Sequence, residues 1–334
     1  MGPSTRLADV ATFTHIEHSC AGFGGVSASA ACASVRISWD NSFYFLFLVV
    51  PFQTLMIKFL AFRYSIIEPS KKSPGYDEAV NKVEKFNGVV FDLNKEHKVS
   101  FHDRGVKHLL FVVKQFNKNV FALEFAREEF FTKPVEGENA IEEVQDTRTP
   151  FIFVIIDLKR QIFLIQEKST VFQNVDISQN KLERFFDEQL EYIGLKILLK
   201  AITDKKDFWR EVETLDSIND FKLVLNAPNL FEGRFKASDL VKEFHDDYNF
   251  TELQIRFKSA LGKLRLYKEN AQEFISLITS GGGKYLVHAV RNGKKIILDS
   301  TNFVVKKVYD KEDIKEISNE TIESDLDELD KYND

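Results

Sequence analysis

Two sets of residues have types and spacing that can do chemistry. The first is cationic: residues 253–309 hold eleven Lys+Arg against three acids. Arg256, Lys258, Lys263, Arg265, Lys284, Arg291, Lys294 and Lys295 fall in this block. Many of its cations sit on strand-like segments, where alternation puts Arg256 and Lys258 opposite Leu253, Ile255 and Phe257. A basic sheet face attracts phosphate backbones by releasing condensed counterions, whatever the base sequence. DNA is therefore the partner the charge pattern points to, with RNA not distinguished. The plain alternative is a set of solvated lysines in a Lys-rich chain.

The second set is Asp157 with Gln166 and Lys168. Restriction-type nucleases place an acid and an (E/Q)xK unit on neighbouring strands, so that carboxylates hold Mg²⁺ and the lysine supports the attacking water. Here Gln166 and Lys168 share strand parity, whereas Asp157 equally suits the opening of a turn. A metal-dependent nuclease is thus an alternative to a nonenzymatic binder.

Other groups point less clearly to chemistry. Ser280-Gly281-Gly282-Gly283-Lys284 superficially resembles a phosphate loop, but a helix precedes it and a strand follows. That order is the reverse of a P-loop, and a helix C-terminal turn explains the glycines. His97, His102, Asp103 and His108 match no standard zinc spacing. Neither a metal site nor a cofactor is expected, and no nucleophile motif appears.

These residues need a scaffold. Alternation predicts strands at 56–65, 108–115, 119–128, 220–225 and 251–258, and a hairpin of FIFVIID and QIFLIQEK around Leu158, Lys159 and Arg160. Helical spacing predicts 178–193, through Leu182, Phe185, Phe186, Leu190 and Ile193, with Asp176 and Gln179 as a capping box. Further helices are predicted from Ser238 through Phe244 and over 267–279. A break is expected at Pro228-Asn229, and Asn292-Gly293 reads as a type I′ hairpin turn. The fold class is α+β: mostly antiparallel sheets with packed amphipathic helices, in two subdomains.

The chain has 334 residues, 44% of them hydrophobic and 13% aromatic, which excludes a disordered chain, a collagen-like fibre and a disulfide scaffold. Residues 1–55 contain both cysteines and no lysine, so they read as an atypical or non-native extension, poorly ordered around 20–34, with Met56 opening the body. Residues 42–62 are long enough to span a membrane, but Pro51 and Lys58 count against an anchor. A body without cysteine fits the cytoplasm. Residues 134–150 are acidic, bounded by Pro134 and Pro150 and without period. They read as a linker between subdomains 56–133 and 151–309. Residues 310–334 hold eleven acids and three lysines. This acidic tail is expected either to be solvated or to fold back as a nucleic-acid mimic on the basic face.

The run PFIFVIIDLKRQIFLIQEKSTVFQNVDISQNKLERFF, then FKLVLNAPNLFEG, NFTELQIRFKS and SGGGKYLVHAVRNGKKIILDS, resembles the layout of bacterial abortive-infection proteins of the lambda RexA, phage-exclusion kind. The likeness covers about 150–305. It implies an α+β homodimer that binds DNA with little sequence preference and triggers a membrane-protein or toxin partner during phage infection. It supplies no catalytic residue. A third reading, a purely protein-binding module, rests on exposed aromatics and the acidic tail.

Overall fold

The computed structural model describes residues 32–39, 42–49, 56–67, 82–137, 140–226, 236–248 and 250–333. They fall into two units, Met1–Leu55 and Met56–Asp334. In the first, β1 (Cys32–Trp39) pairs antiparallel with β2 (Ser42–Val49), Cys32 opposite Val49 and Trp39 opposite Ser42. Residues 20–31 and the expected break at Pro228-Asn229 lie outside the described residues. Among the described residues, no helix is long and apolar enough to cross a membrane.

The second unit opens with β3 (Ile57–Ile67), α1 (Lys82–Glu96), β4 (Lys98–Asp103), β5 (Val106–Asn117) and β6 (Val120–Arg127). There follow β7 (Glu129–Glu136), β8 (Ile141–Arg148), β9 (Phe151–Asp157), β10 (Ile162–Gln166), α2 (Val175–Leu190) and β11 (Lys196–Ala201). Next come α3 (Lys205–Glu213), β12 (Ser217–Asn226), α4 (Lys236–Tyr248), β13 (Glu252–Lys258) and α5 (Lys268–Leu277). The chain closes with β14 (Gly283–Arg291), β15 (Lys294–Asp299), β16 (Lys306–Tyr309) and α6 (Asn319–Asp330). The fold is α+β, and its strand pairs are antiparallel.

The larger sheet runs β11-β3-β10-β9-β6-β5-β4, with β16 also paired to β3. Its central strands are covered on both sides, which is why FIFVIID and IFLIQ are apolar almost without interruption. On one side α1 and α2 bury Phe86, Val90, Leu182, Phe185 and Phe186 against Phe62, Tyr64 and Phe163. On the other, α6 buries Ile322, Leu326 and Leu329 against Phe59, Ala61 and Ile155. The C-terminal residues are therefore a layer of the fold. Their spacing of four and three residues makes one apolar stripe, and Ser318 caps the helix by accepting from the Thr321 amide at 3.1 Å.

Two expectations are corrected here. Residues 134–150 are no linker: β7 and β8 pair throughout as a two-stranded arm, Glu129 opposite Arg148 and Glu136 opposite Ile141. The strands on either side of the arm, β6 and β9, are neighbours in one sheet, so 56–133 and 151–309 do not divide there. The cap of α2 is Asn174, whose Oδ1 accepts from the Ile177 amide at 2.9 Å. Gln179, expected in a capping box, instead donates to the Leu199 carbonyl at 2.8 Å.

His108 sits buried in a layered stack, its ring 5.7 Å from Phe125 and 6.4 Å from Phe172, with nearly parallel planes. Burial lowers its pKa below the ordinary 6.5, against the opposing contact of Nδ1 with the Val106 carbonyl. A folded state that resists the proton loses stability as pH falls below 6.5, because the unfolded chain takes up that proton first. His108→Phe is expected to flatten that acid limb, read from urea midpoints across pH. An unchanged limb would show that other groups set it.

Candidate nucleic-acid interface

The smaller sheet, ordered β13-β12-β14-β15, carries most of the predicted basic residues. One face is covered: α3, α4 and α5 bury Phe208, Val241 and Ile275 against Phe221, Leu223, Leu225, Tyr285 and Val287. The opposite parity forms an open face. Its rows follow from the register, since directly paired residues point to the same side. One row reads Lys258, Asp220, His288, Ile297 and the next Arg256, Lys222, Leu286, Asp299. Gln254, Val224 and Lys284 make a third, and Lys295 stands beside Val290. Strands lie about 4.8 Å apart, so the three spacings from β13 to β15 spread these cations over roughly 15 Å across the strands.

The structure thus sorts the eight predicted residues. Arg256, Lys258, Lys284 and Lys295 share the open face. Arg291 and Lys294 oppose each other with the other parity, and Arg291 pairs with Glu211 of α3 on the helix-covered side. Lys263 and Arg265 lie between β13 and α5, where Arg265 Nη1 donates to the Tyr267 hydroxyl at 3.3 Å. One contiguous patch of all eight is therefore corrected to a smaller set. Lys222 belongs to that set and was missed. Its signal was present, because Phe221, Leu223 and Leu225 alternate around it.

Charge on the face is unevenly compensated. Arg256 grips Asp220 through Nε, 2.9 Å from Oδ1, and holds the Asp220 carboxyl below its ordinary pKa. Lys222, Lys258, Lys284 and Lys295 form no ion pair among the described residues. Asp299 accepts from the Thr301 amide and hydroxyl, both at 2.9 Å. A phosphate chain laid across the rows would therefore meet free ammonium groups and one guanidinium already shared.

The acidic residues of α6 do not cover this face. They pair elsewhere: Glu323 and Asp327 with Arg160, Asp330 with Arg63, and Asp325 and Glu328 with Lys307. The fold-back reading of the tail is corrected accordingly.

The nuclease constellation does not assemble. Asp157 is fully buried and closes the β9–β10 turn. Its Oδ1 accepts from the amides of Lys159 at 2.8 Å and Arg160 at 3.2 Å, and its Oδ2 from Arg160 Nη1 at 2.5 Å. Burial pushes this carboxyl above its ordinary pKa in spite of Arg160. Gln166 is at the far end of the hairpin, accepting from the Phe153 amide at 2.9 Å. Asp157 pairs with Ile162, and the four residues from there to Gln166 span about 13 Å. Lys168 donates to the Phe151 carbonyl at 3.3 Å. The three side chains cannot share one Mg²⁺.

The glycine run is a joint between sheets. It forms a wide turn, Ile278–Gly282, with Gly281 at φ +97°. A Cβ on Gly281 would overlap Arg63 of β3, and one on Gly283 would overlap the Val224 carbonyl of β12. Arg63, itself buried, donates from Nε to the Ser280 carbonyl at 2.7 Å and from Nη1 to the Arg160 carbonyl at 2.8 Å. Close backbone approach explains the glycines. Of the histidine group, His108 lies in its aromatic stack and Asp103 pairs with Lys181 and Arg184.

No protein-family model matches the chain, and no curated protein matches it.

Proposed function

We propose that this chain binds nucleic acid through its phosphate backbone, without sequence preference, on the open face of the β13-β12-β14-β15 sheet. The observation that carries the reading is the grouping of Lys222, Lys258, Lys284 and Lys295 on one solvent-facing side with no ion-pair partner among the described residues. Backbone binding needs cations on a surface that tracks the strand and no particular base contact. The role is binding, with no catalytic residue assigned. A place as a sensor or effector in bacterial defence against phage is supported by the sequence layout alone.

Fluorescence anisotropy with a labelled DNA duplex, titrated at several salt concentrations, tests the binding. Affinity is expected to fall linearly with salt on logarithmic axes. Lys284→Glu with Lys295→Glu should weaken binding at low salt by on the order of tenfold and flatten the slope by about two. Lys294→Glu, on the other parity, should do less. Equal effects of Lys294 and Lys295, or a slope near zero, would refute the assignment. Plating efficiency of phage on bacteria expressing the chain tests the defence role, which requires protection that the face variant loses.

A further inference from the structure

A cleft of about 350 Å³ opens where the first turn of α3 meets the segment leading into β16. That volume is at the lower end of the range for small-molecule sites. Different elements supply its polar groups. Asp204 and Asp207 line it from α3, one helical turn apart and so neighbours on one face. Asn302, in the short turn Ser300–Phe303, and Lys306, which opens β16, line it from a second stretch of chain. Tyr332, in the turn Lys331–Asn333 after α6, adds a phenol. Burial, and then the charges of Asp204, Glu328 and Asp207 against that of Lys307, push its hydroxyl above the ordinary pKa.

The carboxylates have capacity to spare. Asp204 Oδ1 caps α3 by accepting from the Lys206 amide at 2.7 Å, and Asp207 Oδ1 accepts from Arg210 Nη1 at 2.9 Å. Arg210 is exposed, so that pair is loosely held. Lys306 has no ion-pair partner among the described residues. A further donor stands unused: Tyr285, fully buried beneath α3 with its ring 4.6 Å from Phe208, has a hydroxyl without a hydrogen-bond partner. It is aimed at the wall that Asp207 occupies, and burial with the charges of Asp299, Asp207 and Glu211 pushes it above its ordinary pKa. We propose that this cleft binds a free amino acid with an apolar side chain. Asp204 and Asp207 take the ammonium group, Lys306 and Asn302 the carboxylate, and Phe303 and Val305 the side chain. The charges of Asp204, Asp207, Arg210 and Lys306 sum to zero, which matches a zwitterion. A metal ion would find two carboxylates and no third acid, histidine or cysteine, since no such group of three occurs among the described residues. The site does not rest on nucleic-acid binding, because α3 lies on the covered side of the smaller sheet.

Isothermal titration calorimetry on the full chain, with leucine as the probe, tests this. Leucine is expected to bind with a Kd no weaker than about 1 mM. N-acetylleucine, which lacks the ammonium charge, and leucinamide, which lacks the carboxylate, should each bind at least about tenfold more weakly. Asp204→Asn with Asp207→Asn keeps the helix cap, since asparagine caps as well as aspartate, and should weaken leucine binding by on the order of tenfold or more. Lys306→Gln should bind leucine and leucinamide alike. Misfolding cannot produce that selective loss, and the two analogues decide the matter on the unaltered chain even where a variant fails to fold. Leucine that does not bind, analogues that bind as tightly as leucine, or folded variants that keep the parent affinity and selectivity would each overturn the proposal.

Discussion

Gly281→Ala is expected to cost roughly 3–5 kcal/mol of stability, through left-handed backbone strain, overpacking and disturbance of a buried arginine acting together. Gly281 is buried at φ +97°, and an added Cβ would overlap Arg63 Cβ. That atom is fixed to the backbone of a central strand, so no rotamer change relieves the overlap. Moving β3 or the turn would also break the bond from Arg63 Nε to the Ser280 carbonyl. Gly293→Ala is the control, with φ +71° and nothing within 4 Å of its built Cβ. It should lose only the strain of a positive φ, about 1–2 kcal/mol. Urea unfolding of both variants checks the difference, and equal losses would show that the joint tolerates the methyl group.

Arg160→Ala is expected to cost about 3–5 kcal/mol, the usual penalty for stripping one partner from a buried ion pair. Arg160 is the hub between the β9–β10 turn and α6, holding Asp157, Glu323 and Asp327. Its loss leaves the fully buried Asp157 carboxylate with amide donors on Oδ1 and no cation. Asp157→Asn, added to Arg160→Ala, keeps the Oδ1 acceptor that shapes the turn and removes the stranded charge. The double variant should therefore be more stable than Arg160→Ala alone, by about 1–2 kcal/mol. A strictly additive cycle would mean that the pair is uncoupled. The cycle also shows what Asp157 does, since a turn-closing carboxylate affects unfolding.

Much of the fold was legible in local patterns. Asn292 and Gly293 both have positive φ, as a type I′ turn demands, and join Arg291 and Lys294 as a two-residue hairpin. Leu182, Phe185, Phe186 and Leu190 all reach the core from α2. Some legible signals went unused: Phe86, Val89, Val90 and Leu93 mark α1 by spacing alone, and Ile322, Leu326 and Leu329 mark α6 within a segment read as an acidic tail. The arm was hidden for a different reason. Its strands bury almost nothing and show no period, because neither side faces a core in this chain.

The site divides along the same line. Periodicity settles which side of its own strand a residue takes, so Arg256 and Lys258 were placed correctly relative to Leu253, Ile255 and Phe257. The excess of cations over acids in 253–309 is likewise a property of the linear chain. Strand pairing is what turned that excess into a surface. Register brought Lys222, distant in sequence, between Arg256 and Leu286, turned Arg291 toward α3, and put Asp157 and Gln166 at opposite ends of one hairpin. Charge and amphipathicity are short-range and written in the chain, whereas register is decided by which nonlocal core can be buried, and only the packed tertiary structure records that outcome.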